Sequence, residues 1–356
     1  MTLDPASLRQ SWPMPSVLRP IVTIGAGSIV ADAHFPAYRK AGFPIAGLFD
    51  LDHARAERVA GEFGVERVFA SLDEAVAVPD DVIDLATPPA AHLDVLRKLP
   101  DGAAALVQKP MGRDLGEATA ILELARAKKL EAAVNFQLRF SPMMLAVQDA
   151  VARGLLGRLV DIEVHLAIDT PWHLFAFLKG MPRVEIAVHS IHYLDLIRAF
   201  LGDPQGVHAK TIGHPSSDMA QTRTSAILDY GDTVRCTLSL NHNHAFGRRN
   251  QVAEFRFDGT EGGAHVKLGL LLDYPNGEPD EVWIKAKGES EWVRVPLKGG
   301  WFPDAFVGRM ANLQRFAAGE DTELVASLED AWSTMALVEA AFASSAAPAT
   351  PLAAHP

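Results

Sequence analysis

A short apolar run, Ile21–Ile24, leads directly into the turn Gly25-Ala26-Gly27 and then toward a predicted helix. Glycines allow a tight turn and close backbone approach, and a helix N-terminus presents oriented N–H groups to an anion. Val30 stands where the third glycine of the usual pattern is expected. This stretch predicts a site for a dinucleotide pyrophosphate, with contacts from Gly25, Gly27, Ser28 and Ile29.

The order of strand and helix repeats up to about residue 140. Strands are predicted at 21–24, 45–49, 68–69, 82–86, 104–108 and 132–136, with helices between them. This alternation is typical of a doubly wound parallel sheet with helices on both faces, the Rossmann type. Later strands follow one another with few helices, at 159–168, 208–211, 224–229, 234–240, 253–257 and 264–272. They predict an α+β domain on an open, mostly antiparallel sheet.

These two patterns divide the chain into four segments. We expect an N-terminal arm over 1–18, a Rossmann dinucleotide-binding domain over 19–140, an α+β substrate and oligomerisation domain over 141–345, and a disordered tail over 346–356.

Composition limits the partners and the compartment. The chain has 356 residues and a formal net charge of −11, which argues against a nucleic-acid partner. No apolar run is long enough to cross a bilayer, and residues 1–20 lack the apolar core of a secretory signal. The lone Cys236 suits a reducing compartment. We therefore expect a cytoplasmic protein whose partners include neither nucleic acid nor membrane.

An acidic residue, Asp50, ends the second predicted strand. A carboxylate at this place accepts hydrogen bonds from the ribose hydroxyls of a dinucleotide. It also repels a 2′-phosphate, and Leu51 and Asp52 follow in place of an arginine. The sequence therefore favours NAD over NADP. The alternative, that Asp50 caps the next helix, suits Asp52 better.

Two further loops follow predicted strands, at the sheet edge where open α/β sheets bind ligands. The first contains Thr87-Pro88 with His92, and the second contains Gln108-Lys109-Pro110. The Lys109 ammonium is suited to hydrogen-bond a substrate hydroxyl and stabilise a developing alkoxide. We interpret Thr87, Pro88, His92 and Lys109 as contacts to the cofactor.

The predicted helix over 184–201 carries a polar stripe. In a regular helix Glu185, His189, His192 and Leu196 share one face, at spacings of four, three and four. Two imidazoles and a carboxylate on one stripe suit acid–base chemistry.

In their order and spacing these motifs resemble the glucose–fructose oxidoreductase and inositol dehydrogenase family, Gfo/Idh/MocA, from Ile21 to about Ala343. The family carries Gly-x-Gly, Thr-Pro-x-x-His, Glu-Lys-Pro and Asp-x-x-x-His-x-x-Asp. The resemblance implies an oxidoreductase with Lys109 and His192 as its catalytic pair. Open sheets in this family commonly form contacts between copies, so the resemblance also implies a homodimer or homotetramer. It implies that His192 is the general base and that Lys109 orients the reacting oxygen. Asp195 matches a family acidic position, with a structural role as the alternative.

The chain departs from the family pattern at two positions of this site. Gln108 replaces the glutamate before the lysine, and Val188 replaces the aspartate four residues before His192. The usual Lys/Asp/His trio is therefore incomplete. Glu185 and His189 are candidates to supply the missing polar group from the same helix.

Other side chains are candidate contacts to the substrate. Asn135, Gln137 and Arg139 alternate along a predicted strand end, which puts them on one face. Trp172 and His173 lie in a loop that suits an aromatic wall for a sugar ring. We take Arg139, Trp172, His173 and Asp195 as the substrate-binding candidates.

Four functions fit these features. The first is an NAD-dependent dehydrogenase that acts on a carbinol carbon of a sugar, polyol or cyclitol. The second is a redox-neutral enzyme that retains NAD and cleaves a glycosidic bond. The third is a metal-assisted enzyme, and the fourth is an inactive dinucleotide sensor. The candidate metal ligands are of the kinds that Zn²⁺ uses, at Glu185, His189, His192, His242 and His244.

Overall fold

The structure is a computed structural model that describes residues 3–77, 80–274 and 276–353. Two sheets, one parallel and one mixed, form its framework. The last helix extends to Ala346, and residues 347–353 have no regular structure. Residues 354–356 of the predicted tail, like residues 1–2 of the predicted arm, lie outside the described residues.

The first sheet is built from short apolar strands: β1 (Ile21–Ile24), β2 (Ile45–Phe49), β3 (Val82–Leu85), β4 (Ala104–Val107) and β5 (Glu131–Val134). They pair in parallel in the order β2-β1-β3-β4-β5, and a single parallel bridge from Val68 to Leu48 extends it to the six-strand order of the Rossmann arrangement. Consecutive residues of β4 alternate between two hydrophobic clusters, because Ala105 and Val107 belong to one and Ala104 and Leu106 to the other. Both faces of the sheet are therefore covered, as predicted.

Five helices lie between or beside these strands: α1 (Phe35–Ala41), α2 (His53–Phe63), α3 (Leu72–Val76), α4 (His92–Lys98) and α5 (Leu115–Lys128). Apolar residues of α1 and α2 belong to one cluster, and those of α3, α4 and α5 to the other. Side chains cap several N-termini: Asp52 accepts from the amide of Arg55 and Ser71 from that of Glu74. The cap at Asp52 confirms that Asp52, and not Asp50, caps α2.

The second sheet has eight strands in the described residues: β6 (Leu159–Ala167), β7 (Gly206–Ile212), β8 (Arg223–Asp229), β9 (Arg235–Asn241), β10 (Val252–Gly259), β11 (Gly263–Lys267), β12 (Glu281–Lys285) and β13 (Val293–Arg294). Their order is β13-β12-β11-β10-β6-β9-β8-β7. Among the described strands of this second sheet only β6 and β9 pair in parallel, so the predicted mostly antiparallel sheet is confirmed.

Four more helices complete the molecule in the described ranges: α6 (Pro142–Ala152), α7 (Ile191–Leu201), α8 (Asp304–Ala317) and α9 (Leu328–Ala346). Helix α8 returns to the parallel sheet, where Phe306, Met310 and Leu313 join the cluster of α1 and α2. The N-terminal arm also packs on the body, with the Trp12 ring 5.1 Å from that of Phe140. Distant parts of the sequence therefore stabilise the dinucleotide-binding sheet.

Five local predictions are wrong. The strand predicted at 68–69 is reduced to a single bridge between Val68 and Leu48, and the predicted loop that holds Trp172 is a 3-10 helical segment, Trp172–Leu178. The strand predicted over 264–272 ends at Lys267, because a 3-10 turn over Gly269–Leu271 follows. The strand end predicted near Arg139 is instead a 3-10 turn, Gln137–Phe140, so the strict alternation of side chains is lost. The helix predicted over 184–201 opens with a π-helical turn, Glu185–His189, before α7 begins.

Among the described residues, no helix combines the length and the apolar composition needed to span a bilayer.

Candidate active site

The glycine turn after β1 leaves room where a dinucleotide is expected. Gly25 has φ +107°, and a Cβ there would lie 2.5 Å from the carbonyl oxygen of Ala86. A Cβ on Gly27, by contrast, meets nothing within 4 Å. Gly25 therefore serves the close packing of the turn against β3, whereas Gly27 opens onto free space beside the helix start at Ser28. This geometry fits a pyrophosphate group.

Asp50 lies at the end of β2 and faces the glycine turn. Its carboxylate accepts hydrogen bonds from the backbone amides of Ala26 at 2.7 Å and Asp52 at 2.8 Å. Arg55 donates to the same carboxylate at 2.7 Å. Burial raises the pKa of Asp50, but the bonds from Arg55 and the two amides outweigh it and hold the pKa below its ordinary value. Asp50 is therefore an ionised acceptor at the place predicted for the ribose.

The loop after β3 is held by His92. This side chain is fully buried, and its ring nitrogens lie 3.0 Å from the Thr87 carbonyl oxygen and 3.3 Å from that of Met111. Burial lowers the pKa of His92, so the ring is neutral and donates one of these bonds. His92 therefore joins the loops after β3 and β4 from behind, whereas Thr87 and Pro88 lie on the loop itself.

Lys109 follows β4 and reaches toward the π-helical turn. Its Nζ donates a hydrogen bond of 2.9 Å to the carbonyl oxygen of Val188. Desolvation by the surrounding protein lowers the pKa of Lys109 to about 8. Val188 stands where the family pattern has an aspartate, so this position contacts Lys109 through the backbone instead of a carboxylate.

Gln108 belongs to a buried network beneath the glycine turn. Its amide nitrogen lies 3.2 Å from Nε2 of His34, and its Oε1 accepts from the backbone amide of Lys109 at 2.8 Å. Nδ1 of His34 lies 2.7 Å from Asp84, which also accepts from the Tyr38 hydroxyl. A carboxylate only accepts, so Nδ1 donates and Nε2 is left to accept from an amide. Gln108 offers such an amide, which a glutamate would lack, and the Asn135 amide nitrogen also lies 3.3 Å from Nε2.

His192 lies in the first turn of α7 and is 7% exposed. Aromatic rings border it at centroid distances of 6.1 Å from Phe136 and 6.3 Å from Trp301. Burial, reinforced by the positive charge of Lys109, lowers the pKa of His192 well below its ordinary value. The imidazole is therefore neutral at physiological pH, the form in which it accepts a proton.

Glu185 and His189 lie in the π-helical turn and meet His242 at the end of β9. Nε2 of His242 is 3.2 Å from Oε1 of Glu185, and the rings of His189 and His242 are 4.3 Å apart. One ligand atom from each of the three residues lies within 4.8 Å of the others. Two of the predicted metal-ligand candidates, His192 and His244, are not members of this group among the described residues. The single polar stripe predicted for a regular helix is therefore divided.

The substrate-binding candidates occupy different surroundings. Arg139 and Asp195 form a buried ion pair with two bonds of 2.6 Å, and Arg139 also pairs with Asp330 at 2.8 Å. Trp172 packs on His242 with ring centroids 5.5 Å apart, whereas His173 is exposed. Trp172 therefore adjoins the cluster of Glu185, while the ion pair cross-links the 3-10 turn to α7 and α9.

Several residues of the site were missed in the sequence. Asp84 was a visible signal, because a carboxylate inside the apolar strand Val82–Leu85 needs a buried partner. Arg55 was the other signal, five residues beyond Asp50 on the first turn of α2. The partners of Glu185, which are Ser190, Thr224 and His242, come from three elements and carry no local pattern.

The parallel sheet, the glycine turn and Asp50 together define a dinucleotide-binding protein of the Rossmann class. Residues 19–136 match the oxidoreductase family Gfo/Idh/MocA, described as having an NAD-binding Rossmann fold, and residues 144–265 match its C-terminal domain. The chain belongs to the Gfo/Idh/MocA family of oxidoreductases, and its cofactor is NAD, as predicted.

Named relatives and a solved structure agree with this assignment. The chain is 24% identical to the D-apiose dehydrogenase of Paraburkholderia graminis, over 87% of this chain and 84% of that protein. It is 26% identical to the inositol 2-dehydrogenase of Rhizobium meliloti, over 89% and 94% respectively. The fold is also that of an oxidoreductase from Agrobacterium radiobacter, solved with NAD⁺, L-tartaric acid and magnesium, with a TM-score of 0.77. That match covers 93% of this chain and 97% of the other at 20% identity.

Proposed function

We propose that this protein is an NAD-dependent dehydrogenase that oxidises a carbinol carbon of a sugar, polyol or cyclitol. The supporting observation is the contact of Lys109 Nζ with the Val188 carbonyl, which brings the end of β4 to the helix that carries His192. A cation and a neutral imidazole then adjoin the edge of the sheet at which the glycine turn lies. The names of the relatives, D-apiose dehydrogenase and inositol 2-dehydrogenase, support a polyhydroxylated substrate.

The two catalytic residues have different tasks in this proposal. His192 takes the hydroxyl proton as the carbinol C–H bond breaks, because a neutral buried imidazole is a ready acceptor. Lys109 donates a hydrogen bond to the same oxygen and stabilises its developing negative charge. NAD, when bound, supplies the acceptor for the hydride.

Other residues hold these groups and the cofactor in place. Asp50 accepts from the ribose, and Gly27 leaves the space for the pyrophosphate. Gln108 fixes the backbone of Lys109 through its bond to that amide, and His34 fixes Gln108 in turn. Trp172 is the candidate wall for a sugar ring, since it is partly exposed beside His242.

The proposal is tested by a panel of sugars, polyols and cyclitols, each mixed with the protein and NAD⁺. We expect at least one compound to give NADH in proportion to the product formed. Lactones with NADH test the reverse direction. If no compound reduces NAD⁺ and a glycoside is hydrolysed instead, the result supports the redox-neutral alternative and contradicts this proposal.

A further inference from the structure

The cluster of Glu185, His189 and His242 is not used by the reaction proposed above. We propose that these three residues bind a divalent transition metal, with Zn²⁺ as its representative. This inference stands apart from the proposed dehydrogenase activity, because it concerns a second site whose occupancy is measurable without a substrate.

The spacing of the three side chains suits binding to one metal ion. Their donor atoms lie within 4.8 Å of one another, and Nε2 of His242 is 3.2 Å from Oε1 of Glu185. Two ligands at bond lengths of about 2.0–2.2 Å in a tetrahedral site are separated by roughly 3.3 Å. The pair is therefore spaced either as a hydrogen bond or as two ligands of one metal ion.

Neighbouring residues orient the candidate ligands as outer partners do in metal sites. Nδ1 of His242 lies 2.8 Å from the Thr170 hydroxyl, which leaves Nε2 to face Glu185. Ser190 and Thr224 each donate a hydroxyl hydrogen bond to the Glu185 carboxylate. Such second partners fix the ring or carboxylate orientation and strengthen the ligand.

His189 supplies an independent observation. Its Nδ1 is buried and has no hydrogen-bond partner in the described part of the chain. A buried polar atom left without a partner costs about 1–3 kcal/mol. A metal ion held by Glu185 and His242 would satisfy an imidazole nitrogen of His189.

The kinds of ligand favour one class of metal. Two imidazoles and a carboxylate suit Zn²⁺ and its transition-metal neighbours, whereas Mg²⁺ and Ca²⁺ prefer oxygen ligands throughout. Three protein ligands leave a coordination position for an oxygen of water or substrate. Glu185 and His242 are 0% exposed, but His189 is partly exposed, so the fourth ligand enters on the side of His189.

The charge balance makes Glu185 the critical ligand. Lys109 contacts the carbonyl of Val188, the residue directly before His189, so its ammonium repels a cation bound here. The carboxylate of Glu185 offsets that repulsion. Its loss should therefore weaken metal binding more than the loss of a neutral ligand.

The test uses full-length protein made without a metal-affinity tag and dialysed against EDTA. Zn²⁺ is added in a calorimetric titration, and Co²⁺ in a parallel titration is followed by visible absorption. We expect one metal ion per chain. We expect Glu185→Gln and His242→Ala to lose more affinity than the roughly 10- to 100-fold that outer partners cost. His244→Ala is the matched control, since it lies two residues from His242 but outside the cluster.

Folding is checked for every variant by circular dichroism, by thermal unfolding and by NADH binding. If His242→Ala does not fold, Glu185→Gln decides the matter, because it retains the size of the side chain. A wild-type protein that binds neither metal overturns the proposal. So does equal affinity in the wild type and Glu185→Gln, because Glu185 and His242 then form only a hydrogen bond.

Discussion

Lys109 and His192 owe their protonation states to the protein around them. Burial lowers both pKa values, that of Lys109 to about 8 and that of His192 well below its ordinary value. At pH 7 the lysine is therefore mainly charged and the histidine neutral. These are the states in which one donates to an oxygen and the other accepts a proton.

The lowered pKa of Lys109 predicts an alkaline limb in the pH profile of kcat/KM. As pH rises through about 8, Lys109 loses its proton and kcat/KM should fall. Lys109→Arg keeps the charge, because the pKa of arginine is above about 12. The alkaline fall should therefore disappear in this variant, whatever activity it retains. An alkaline limb at the same pH in Lys109→Arg would show that another group titrates.

Some single residues were predictable and others were not. The places of the glycine turn, Asp50, Lys109 and His192 at strand ends or on a helix were predictable from short motifs, whereas their roles stay predictions. The contact between Glu185 and His242 spans 57 residues of sequence. It depends on how the helix start meets the end of β9, which no local pattern encodes.

At the scale of elements, the turn between β1 and the first helix contains two glycines that are required for different reasons. Gly25 is required by the fold, since a Cβ would lie 2.5 Å from the Ala86 carbonyl at a φ of +107°. A Cβ on Gly27 would meet nothing within 4 Å, so we infer that a glycine is required there by the ligand. The two glycines of one motif therefore answer to different physical constraints.

A pair of alanine substitutions tests this difference. Gly25→Ala should destabilise the protein by about 1–3 kcal/mol, because it forces a strained φ and a backbone clash. Gly27→Ala should leave the free energy of unfolding almost unchanged but weaken NADH binding. Denaturant unfolding and fluorescence titration with NADH measure the two quantities. Equal losses of stability in both variants would contradict this assignment.

Helix α7 and the π-helical turn before it show why the sequence pattern placed Glu185 and His189 on the wrong face. Its apolar residues, Ile191, Leu194 and Ile197, are buried as the spacing predicts. The π-helical turn before them, closed by the bond from the Ser190 amide to the Glu185 carbonyl, adds a residue to one turn. Polar residues on that turn cannot be placed by a regular period, so Glu185 and His189 face His242 instead of continuing toward His192.

At the scale of the whole molecule, one face of the eight-stranded sheet is open. The register places one residue from each of six strands in a row: Ile227, Thr237, Glu163, Arg256, His265 and Trp283. Ile227 is 52% exposed and Trp283 is 36% exposed, at opposite ends of a charged centre. Such a face suits a second copy of the chain, with apolar edges and ion pairs between them.

We therefore predict a homo-oligomer that associates through this face. Light scattering coupled to size exclusion should give the mass of two or four chains for the wild type. Ile227→Glu should shift the mass toward that of one chain, because it buries an unpaired charge at the contact. Val17→Glu, at a residue that is 71% exposed on the N-terminal arm, is the control. A monomeric wild type would remove the basis of this prediction.

The fold and the cofactor were predictable because they depend on repeated local patterns. The packing of α8 and of the N-terminal arm on the parallel sheet was not predictable. Helix α8 completes one face of the parallel sheet from nearly 200 residues beyond β4. The N-terminal arm packs beside it, with Trp12 bound to Asp321. Nothing in the pattern of either segment specifies this partner.

The central claim is that His192 takes the substrate proton in an NAD-dependent oxidation. Its most direct test compares NADH formation from the responding polyol by the wild type, His192→Ala and His214→Ala, with NADH affinity measured on the same samples. We predict that His192→Ala lowers kcat by about 100- to 10,000-fold while NADH binding is unchanged. His214→Ala, in the loop between β7 and β8, should match the wild type. Full activity in His192→Ala would contradict the account.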